Sequence, residues 1–286
     1  MSLHISAQLL SDAWVQVLAA VNAEPRGTAT HALVSISAPQ EGAHMGVSHV
    51  VDSVLRDEDK HGVITVANTI FPSALYNDPG FDWSAELSDE EAALLDTAAR
   101  ELYVAYLDSL PTLQRVYANQ SGTYFARMIS WPGKTATGTN QLATRIEALR
   151  GERRQRRKTS NFSDIALAGE VDGAGGGLEE YAVSDNRTRG FPCLVHIDIS
   201  VREGALAILG VYRHWHLITR GYGNLIGLAR LQAFLCQQTG FAPGELAVVA
   251  GHANAERSDY SGKSGVAKIL TDAAASLHGR ETAASA

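Results

Sequence analysis

Hydrophobic residues recur at intervals of three and four along much of this chain, the spacing that places them on one face of a helix. Ser88 precedes three acidic residues and then a run of good helix formers, which is typical of a capped helix start. Gly240 follows a strongly apolar run and predicts a helix end. The pattern predicts helices over residues 6–22, 47–55, 88–110, 139–150 and 224–240.

Other stretches alternate between apolar and polar positions, or are rich in β-branched residues, as strands are. Val195, Ile197 and Ile199 share one face of a strand, and Gly204 separates that strand from an apolar return. This arrangement predicts a hairpin over residues 193–213. The same reasoning predicts extended structure over residues 33–37, 61–71, 123–133 and 245–251.

The predicted helices and strands interleave irregularly, with at least one hairpin among them. This order favours a single α+β domain over residues 1–286, with a large mixed β-sheet and flanking helices. The glycine-rich residues 169–190 predict a flexible surface loop, and residues 275–286 predict a frayed tail.

Charge and composition argue against several classes of protein. The formal net charge of −7 argues against a general nucleic-acid-binding surface. Two cysteines are too few for a disulfide framework, which favours a reducing, cytoplasmic location. No apolar run approaches the roughly 18 residues that a membrane span needs, and the first residues do not resemble a signal peptide. The basic run over residues 150–158 is typical of a solvated helix end, but it also fits an RNA contact or an anion site.

Cys193 stands at the start of the predicted hairpin, where a thiol has two interpretations. Free cysteine is among the most buried residue types, so a place in the core is the ordinary reading. A nucleophilic thiol needs a nearby cation to lower its pKa. Arg213, on the return strand of the hairpin, is placed to supply that charge and to bind a phosphate.

The residues around Cys193 also match a known pattern. Pro192 precedes the cysteine, and Gly204, Arg213 and Asn224 follow it at gaps of eleven, nine and eleven residues. This spacing resembles the thymidylate synthase superfamily, and the good match covers roughly residues 120–256. Two shorter stretches also resemble that family: residues 25–30 place Arg26 in its N-terminal arginine loop, and residues 123–133 place Tyr124 before its Trp-Pro pair.

The resemblance implies a thymidylate synthase-like domain in an obligate homodimer with shared active sites. It implies that Cys193, with Tyr124 beside it, adds to C6 of a pyrimidine nucleotide monophosphate, so that C5 can attack 5,10-methylenetetrahydrofolate. It implies that Arg26 and Arg213 hold the phosphate together with arginines from the partner chain. It also implies that Asn224 reads a uracil-type base. The implied substrate contacts are Arg26, Arg156, Arg157, Arg213, His214, Asn224, Asn254 and Glu256. Within the basic run, Arg153 and Arg154 fit the family's paired arginines as well as Arg156 and Arg157 do, so this choice stays open.

The chain departs from the family pattern at several positions. The residues that replace family side chains are Tyr212, His214, His216, Arg220, Asn254 and Glu256. His216 stands where an aspartate contacts folate, and Arg220 stands where the folate loop has glycine. The family's catalytic glutamate has no clear counterpart, since Glu86, Glu90 and Glu91 all lie in the right part of the chain. The resemblance therefore implies that the family's phosphate and base contacts are retained, whereas its folate and sugar contacts are replaced by other residues.

Two other functions stay open. The cysteine chemistry can operate without folate, as exchange at C5 or glycosidic cleavage, or the fold can serve as a non-catalytic nucleotide- or RNA-binding dimer. The histidines of the sequence His214-Trp215-His216 lie on one strand face, but no third ligand at a familiar spacing supports a metal. The glycines at 173–177 lack the Lys-Ser/Thr of a phosphate-binding loop.

Overall fold

The structure is a computed structural model that describes residues 2–82, 86–116, 119–120, 122–131, 135–155, 164–167 and 192–283. The main helices are α1 (Leu10–Ala23), α2 (Met45–Asp57), α3 (Val63–Asn68), α4 (Asp89–Leu113), α5 (Tyr124–Ile129), α6 (Gln141–Gln155), α7 (Tyr222–Thr239) and α8 (Gly262–Ala283). The strands are β1 (Leu3–Ala7), β2 (Thr28–Ile36), β3 (Asp164–Ala166), β4 (Leu194–Arg202), β5 (Ala205–His216) and β6 (Ala242–Asn254). The chain is therefore a mixed α+β protein.

The six strands form one open, mixed sheet in the order β1-β2-β6-β5-β4-β3. The pairs β1–β2 and β5–β6 are parallel, and the other three pairs are antiparallel. Helix α7 connects β5 to β6, which is the crossover that a parallel pair requires. In the predicted hairpin, β5 is a central strand and β4 lies next to the edge strand β3.

One face of the sheet is buried and the other is only partly covered. Val34, Val248 and Ile208 are fully or almost fully buried, because helices α1 and α7 pack against the strands. Their neighbours along the strands point to the opposite face, since side chains alternate along a strand. Leu33, Val249 and other apolar residues of that face remain partly exposed.

Three neighbouring strands each carry an irregularity at the same level of the sheet. In β5, Tyr212 and Trp215 are both buried although they are three residues apart, so two residues between them lie on the exposed side. In β6, Ala250 and Ala253 are buried in the same way, and they pair with those two aromatic residues. Strand β2 repeats the pattern opposite β6, with His31 in the left-handed conformation at φ 55°. These aligned bulges bend the sheet and re-aim side chains at one level.

The structure confirms most of the predicted elements. The hairpin is present as β4 and β5, and its turn has positive φ at Glu203 and Gly204. Helix α4 begins with a capping box between Ser88 and Glu91. Helix α7 ends at Gly240, which adopts the left-handed conformation at φ 73°. The helices predicted over residues 47–55 and 139–150 and the strands near residues 33–37 and 245–251 are also present.

Two predictions of extended structure are wrong. Residues 61–71 contain helix α3, although Val63, Ile64, Thr65 and Val66 are β-branched. Packing against α7 decides this segment: a Cβ at Gly223 would lie 2.6 Å from Val66 Cβ. Residues 123–133 contain the short helix α5, whose first turn is capped by the Thr123 side chain. Local propensity is a weak prior, and tertiary contacts override it here.

Both ends of the chain also differ from the prediction. The helix predicted over residues 6–22 begins only at Leu10, because Leu3–Ala7 forms the edge strand β1. The tail predicted over residues 275–286 continues helix α8 as far as Ala283. The loop predicted over residues 169–190 lies outside the described residues. None of the helices in the described ranges is both long and apolar enough to cross a membrane.

Candidate functional site

The hairpin itself brings Cys193 and Arg213 together. Cys193 immediately precedes β4, and its carbonyl oxygen accepts a hydrogen bond from the backbone N–H of Arg213 at 2.9 Å. The Arg213 guanidinium also reaches back to the Pro192 carbonyl oxygen, at 3.4 Å. Leu194 pairs with Tyr212 in the next register position, so the two strands hold this geometry. The first pairing of the hairpin therefore sets a thiol beside a cation.

The charge state of the Cys193 thiol differs from the prediction. Burial raises its pKa above the ordinary value, and the guanidinium groups of Arg213 and Arg220 lower it by less. The thiol is only partly buried, so solvent and ligands retain access. The resting cysteine is therefore a neutral thiol near pH 7, and Arg213 alone does not keep it ionised. Desolvation outweighs the cation in this position.

Arg220 is a site residue that the sequence interpretation did not assign. It belongs to the π-helical turn Leu217–Gly221, between β5 and α7. Its side chain is exposed and has no hydrogen bond or ion pair with any residue that the structure describes. Its charge favours the ionised forms of both the Cys193 thiol and the Tyr124 hydroxyl. The sequence contained no signal for this placement, since it depends on the path of the turn.

Tyr124 lies against the start of β4. Its hydroxyl oxygen accepts a hydrogen bond from the backbone N–H of Leu194, at 3.4 Å. Burial raises the pKa of Tyr124 to about 12, so the phenol is neutral at physiological pH. Tyr124 and Cys193 are thus neighbours in the site, and the phenol can donate its proton to a ligand.

Asn224 is a buried polar side chain without a partner. It is 3% exposed, and no described residue forms a hydrogen bond with its amide. Leu228, one turn further along α7, packs toward the hairpin: a Cβ at Gly210 would lie 2.9 Å from Leu228 Cδ1 and 3.6 Å from Leu194 Cδ1. Asn224, four residues earlier, lies on the same face of α7 as Leu228 and therefore on the side of the helix that packs against the hairpin. A buried amide is normally hydrogen-bonded, so this one is ready to bind a ligand.

The Glu256 carboxylate holds the turn that carries Arg220. Glu256 is 4% exposed, and its oxygens accept hydrogen bonds from the backbone N–H groups of Ile218 and Thr219 at 2.7 and 2.9 Å. The Thr219 hydroxyl donates a third bond at 2.6 Å. Asn254 in turn accepts a hydrogen bond from the Glu256 backbone N–H, at 2.7 Å. The resemblance implied sugar contacts for both residues, but the structure already employs their oxygens in positioning the turn.

His214 lies beside a second histidine that the sequence interpretation missed. The aligned bulges place His214 of β5 opposite His252 of β6, with ring centroids 5.3 Å apart and an angle of 64° between the ring planes. His216 lies further along β5, with its Nδ1 3.6 Å from a Glu256 oxygen. Within the described ranges, no three histidine, cysteine or acidic side chains are grouped so that they could hold a metal ion. The pair is therefore a polar feature of the sheet face next to Arg213.

The other predicted anion-binding residues are less well placed or lie outside the structure. Arg26 is exposed on the turn before β2, two residues before Thr28, which pairs with Asn254. Arg257 fixes this turn: its guanidinium donates to Asn22 Oδ1 at 2.8 Å and to the Pro25 carbonyl oxygen at 3.1 Å. Arg26 thus sits at the same end of the sheet as the histidines. Arg156 and Arg157 lie outside the described residues.

None of the three glutamates considered as the catalytic carboxylate is tied to this site. Glu91 accepts a hydrogen bond from the Ser88 backbone N–H at 2.8 Å, which lowers its pKa and makes it a helix-capping residue. Glu86 and Glu90 are exposed near the start of α4. A surface depression of about 310 Å³ between α2 and α3 contains none of the predicted site residues.

Comparison with known proteins adds no further identification. No protein-family model matches this chain, and no curated protein matches it either. The function must therefore be argued from the geometry of these residues.

Proposed function

We propose that the chain is a divergent thymidylate synthase-like transferase that adds a methyl or hydroxymethyl unit to C5 of a pyrimidine nucleotide monophosphate. The observation that carries this proposal is the partly exposed thiol at the start of β4, which lies beside two guanidinium groups. A buried amide, that of Asn224, lies on the face of α7 that packs against this hairpin. A nucleophile, an anion-binding pair and a base-reading group are what such a reaction needs.

The Cys193 sulfur forms a bond to C6 of the pyrimidine, and the electron pair of the C5–C6 double bond moves toward the C4 carbonyl. C5 then attacks the one-carbon unit of 5,10-methylenetetrahydrofolate. Loss of the C5 proton and cleavage of the bond between the one-carbon unit and folate N5 would leave an exocyclic methylene on C5. A hydride from the released tetrahydrofolate (methyl product) or a water molecule (hydroxymethyl product) would then add to this carbon as the Cys193 thiolate leaves C6 and the C5–C6 double bond forms again.

The raised pKa of Cys193 adds a requirement to this scheme. A neutral thiol is a weak nucleophile, so its proton must leave as the sulfur–carbon bond forms. Arg213 and Arg220 stabilise the thiolate at that moment, because both already favour the ionised form. The rate of the addition step is therefore expected to rise with pH.

Recognition of the base falls to Asn224. Its amide offers one acceptor and two donor hydrogens, which complement the N3–H and the O4 of a uracil edge. Because the amide is buried, a ligand that leaves it unpaired is strongly disfavoured. The proposal thus includes discrimination between uracil and cytosine bases.

A homodimer is part of the proposal. The partly exposed face of the sheet carries the apolar residues Leu33, Leu209, Val211 and Val249, which is the kind of surface that subunit contacts cover. Arg156 and Arg157 would reach the phosphate of the partner's site. A single species of monomer mass in solution would contradict this part.

Tritium release from the C5 position of labelled uridine and deoxyuridine monophosphates tests the reaction. Release that depends on methylenetetrahydrofolate supports the transferase. Release without the folate contradicts the transferase and supports folate-independent chemistry at C5. Cys193→Ser is the matched variant, since it retains the size of the side chain and removes the thiol.

A second function, nucleotide binding without catalysis, is favoured by one observation. The net rise in the pKa of Cys193 is the opposite of what an activated nucleophile shows. In this case uridine monophosphate binds to wild-type protein and to Cys193→Ala with equal affinity, and neither protein releases tritium.

A further inference from the structure

Beside Arg213, which takes part in the proposed reaction, the aligned bulges create a polar surface that contains two histidines. Gly251 and His252 of β6 lie between two buried alanines, and Arg213 and His214 of β5 lie between two buried aromatic residues. The bulges therefore turn consecutive residues of both strands away from the core. Thr30 of β2 pairs with His252 on the other side.

The imidazoles of His214 and His252 are in edge-to-face contact at 5.3 Å between centroids. The groups that face them are Arg213 and His216 from β5 and Thr30 and His31 from β2; the carboxylate of Glu256 faces His216. Glu256 already accepts three hydrogen bonds from the turn. Among the residues that the structure describes, the groups next to the pair are thus neutral or cationic.

These surroundings make protonation of His214 unfavourable in the absence of an anion. Partial burial, then His252, Arg213 and His216, lower the pKa of His214 below its ordinary value of 6.5. A doubly charged oxyanion beside the two imidazoles reverses the sign of the local field, because an opposite charge favours the protonated ring. Anion binding and proton binding are then coupled, and each raises the affinity for the other.

We propose that His214 and His252 form, together with Arg213, a phosphate-binding site that takes up a proton when the dianion binds. The identification of the anion as a substrate phosphate rests on the proposed function; the histidine pair and its coupling do not. His252 is then a specificity-determining residue, since a protonated imidazole donates hydrogen bonds that a neutral one cannot supply in full. The consequence is a nucleotide affinity that increases as the pH falls through the range in which histidine titrates.

Inorganic sulfate is the probe, because it keeps its double charge while the protein titrates. Isothermal titration calorimetry measures its affinity from about pH 8 to about pH 5.5, in pairs of buffers with different ionisation enthalpies. The affinity is expected to rise up to roughly tenfold per pH unit, with up to one proton taken up per sulfate. Sulfate affinity that is flat across this range would overturn the proposal.

Three variants locate the effect. His252→Gln and His214→Gln should each flatten the pH dependence, whereas Arg213→Gln should weaken binding at every pH and leave a slope. His61→Gln is the matched control, since His61 is an exposed histidine between α2 and α3, away from this sheet face. An unchanged slope in His252→Gln would contradict the assignment.

Nuclear magnetic resonance of the wild-type imidazole groups keeps the test valid if a variant fails to fold. Sulfate should raise the pKa of His214, and a value that does not move would contradict the coupling. Sulfate binding needs no turnover. If the protein releases no tritium but binds sulfate with uptake of a proton, the histidine site is supported and the transferase proposal is contradicted.

Discussion

The two cysteines of this chain lie in different surroundings. Cys236 is fully buried in α7, and burial alone raises its pKa to about 12. Cys193 is partly exposed before β4, and two guanidinium groups oppose the effect of burial on its pKa. Both thiols are neutral at rest, but only one has cations that can stabilise its ionised form. The difference shows that reactivity in this fold depends on access and charge rather than on residue type.

The largest expected effect is on the reaction itself. Cys193→Ser should lower C5 tritium release by about a thousandfold or more, because serine is far less nucleophilic than a thiolate. Cys236→Ser should retain release within a few-fold, provided that the variant folds. Equal losses in the two variants would show that the comparison reflects stability and not chemistry.

Chemical modification should separate the thiols in the native protein. Iodoacetamide is expected to alkylate Cys193 at least about a hundredfold faster than Cys236, as peptide mass spectrometry would measure, because only Cys193 is accessible. Since the pKa of Cys193 is raised, its alkylation rate should still be increasing above pH 9. Equal labelling after denaturation is the control, and preferential labelling of Cys236 in the native state would break the comparison.

Stability should depend more on Cys236 than on Cys193, which is the reverse of the order expected for activity. Cys236→Ala should lower the free energy of unfolding by about 1–2 kcal/mol through lost packing, and Cys193→Ala by less than about 1 kcal/mol. The folded pKa of Cys236 is raised, so its contribution is full below the ordinary thiol pKa of 9.0 and is lost as the pH rises toward about 12. Denaturant titrations at neutral and alkaline pH should therefore show a smaller alkaline loss in Cys236→Ala than in wild type.

The smallest expected effect is on the pH dependence of Cys193 alkylation, and it tests the role of the two arginines. Arg220→Gln and Arg213→Gln should each shift the pH profile of Cys193 alkylation to higher pH, because each guanidinium lowers the pKa of the thiol. Arg202→Gln is the control, because Arg202 is almost fully exposed at the hairpin turn and pairs with Glu203. A profile that does not move in Arg220→Gln would remove this residue from the site.

Local signals in the sequence predicted much of the fold. Ser88 and Gly240 mark helix ends that the structure confirms, because capping chemistry is local. Helix α3 could not be predicted in this way, since its β-branched residues favour a strand until Gly223 and Gly227 let it pack closely on α7. Edge strand β1 was hidden by an apolar pattern that also fits the start of a helix.

The candidate site likewise has one part that local sequence signals predict and another part that they do not. Cys193 and Arg213 are joined by one hairpin, so their proximity follows from sequence spacing. Arg220 and His252 reach the site through a π-helical turn and aligned bulges, which depend on register between distant strands. The spacing of residues along the sequence does not indicate such contacts. The net pKa of Cys193 was likewise inaccessible, because burial depends on the whole fold.

The most direct test of the Cys193 reaction is a search for its covalent adduct. A 5-fluoropyrimidine nucleotide cannot lose its C5 substituent as a proton, so the thioether to C6 should accumulate when methylenetetrahydrofolate is present. The account predicts that peptide mass spectrometry finds the nucleotide on Cys193 in wild-type protein, and finds none in Cys193→Ser. A nucleotide that binds to both proteins without a covalent bond to either would contradict it.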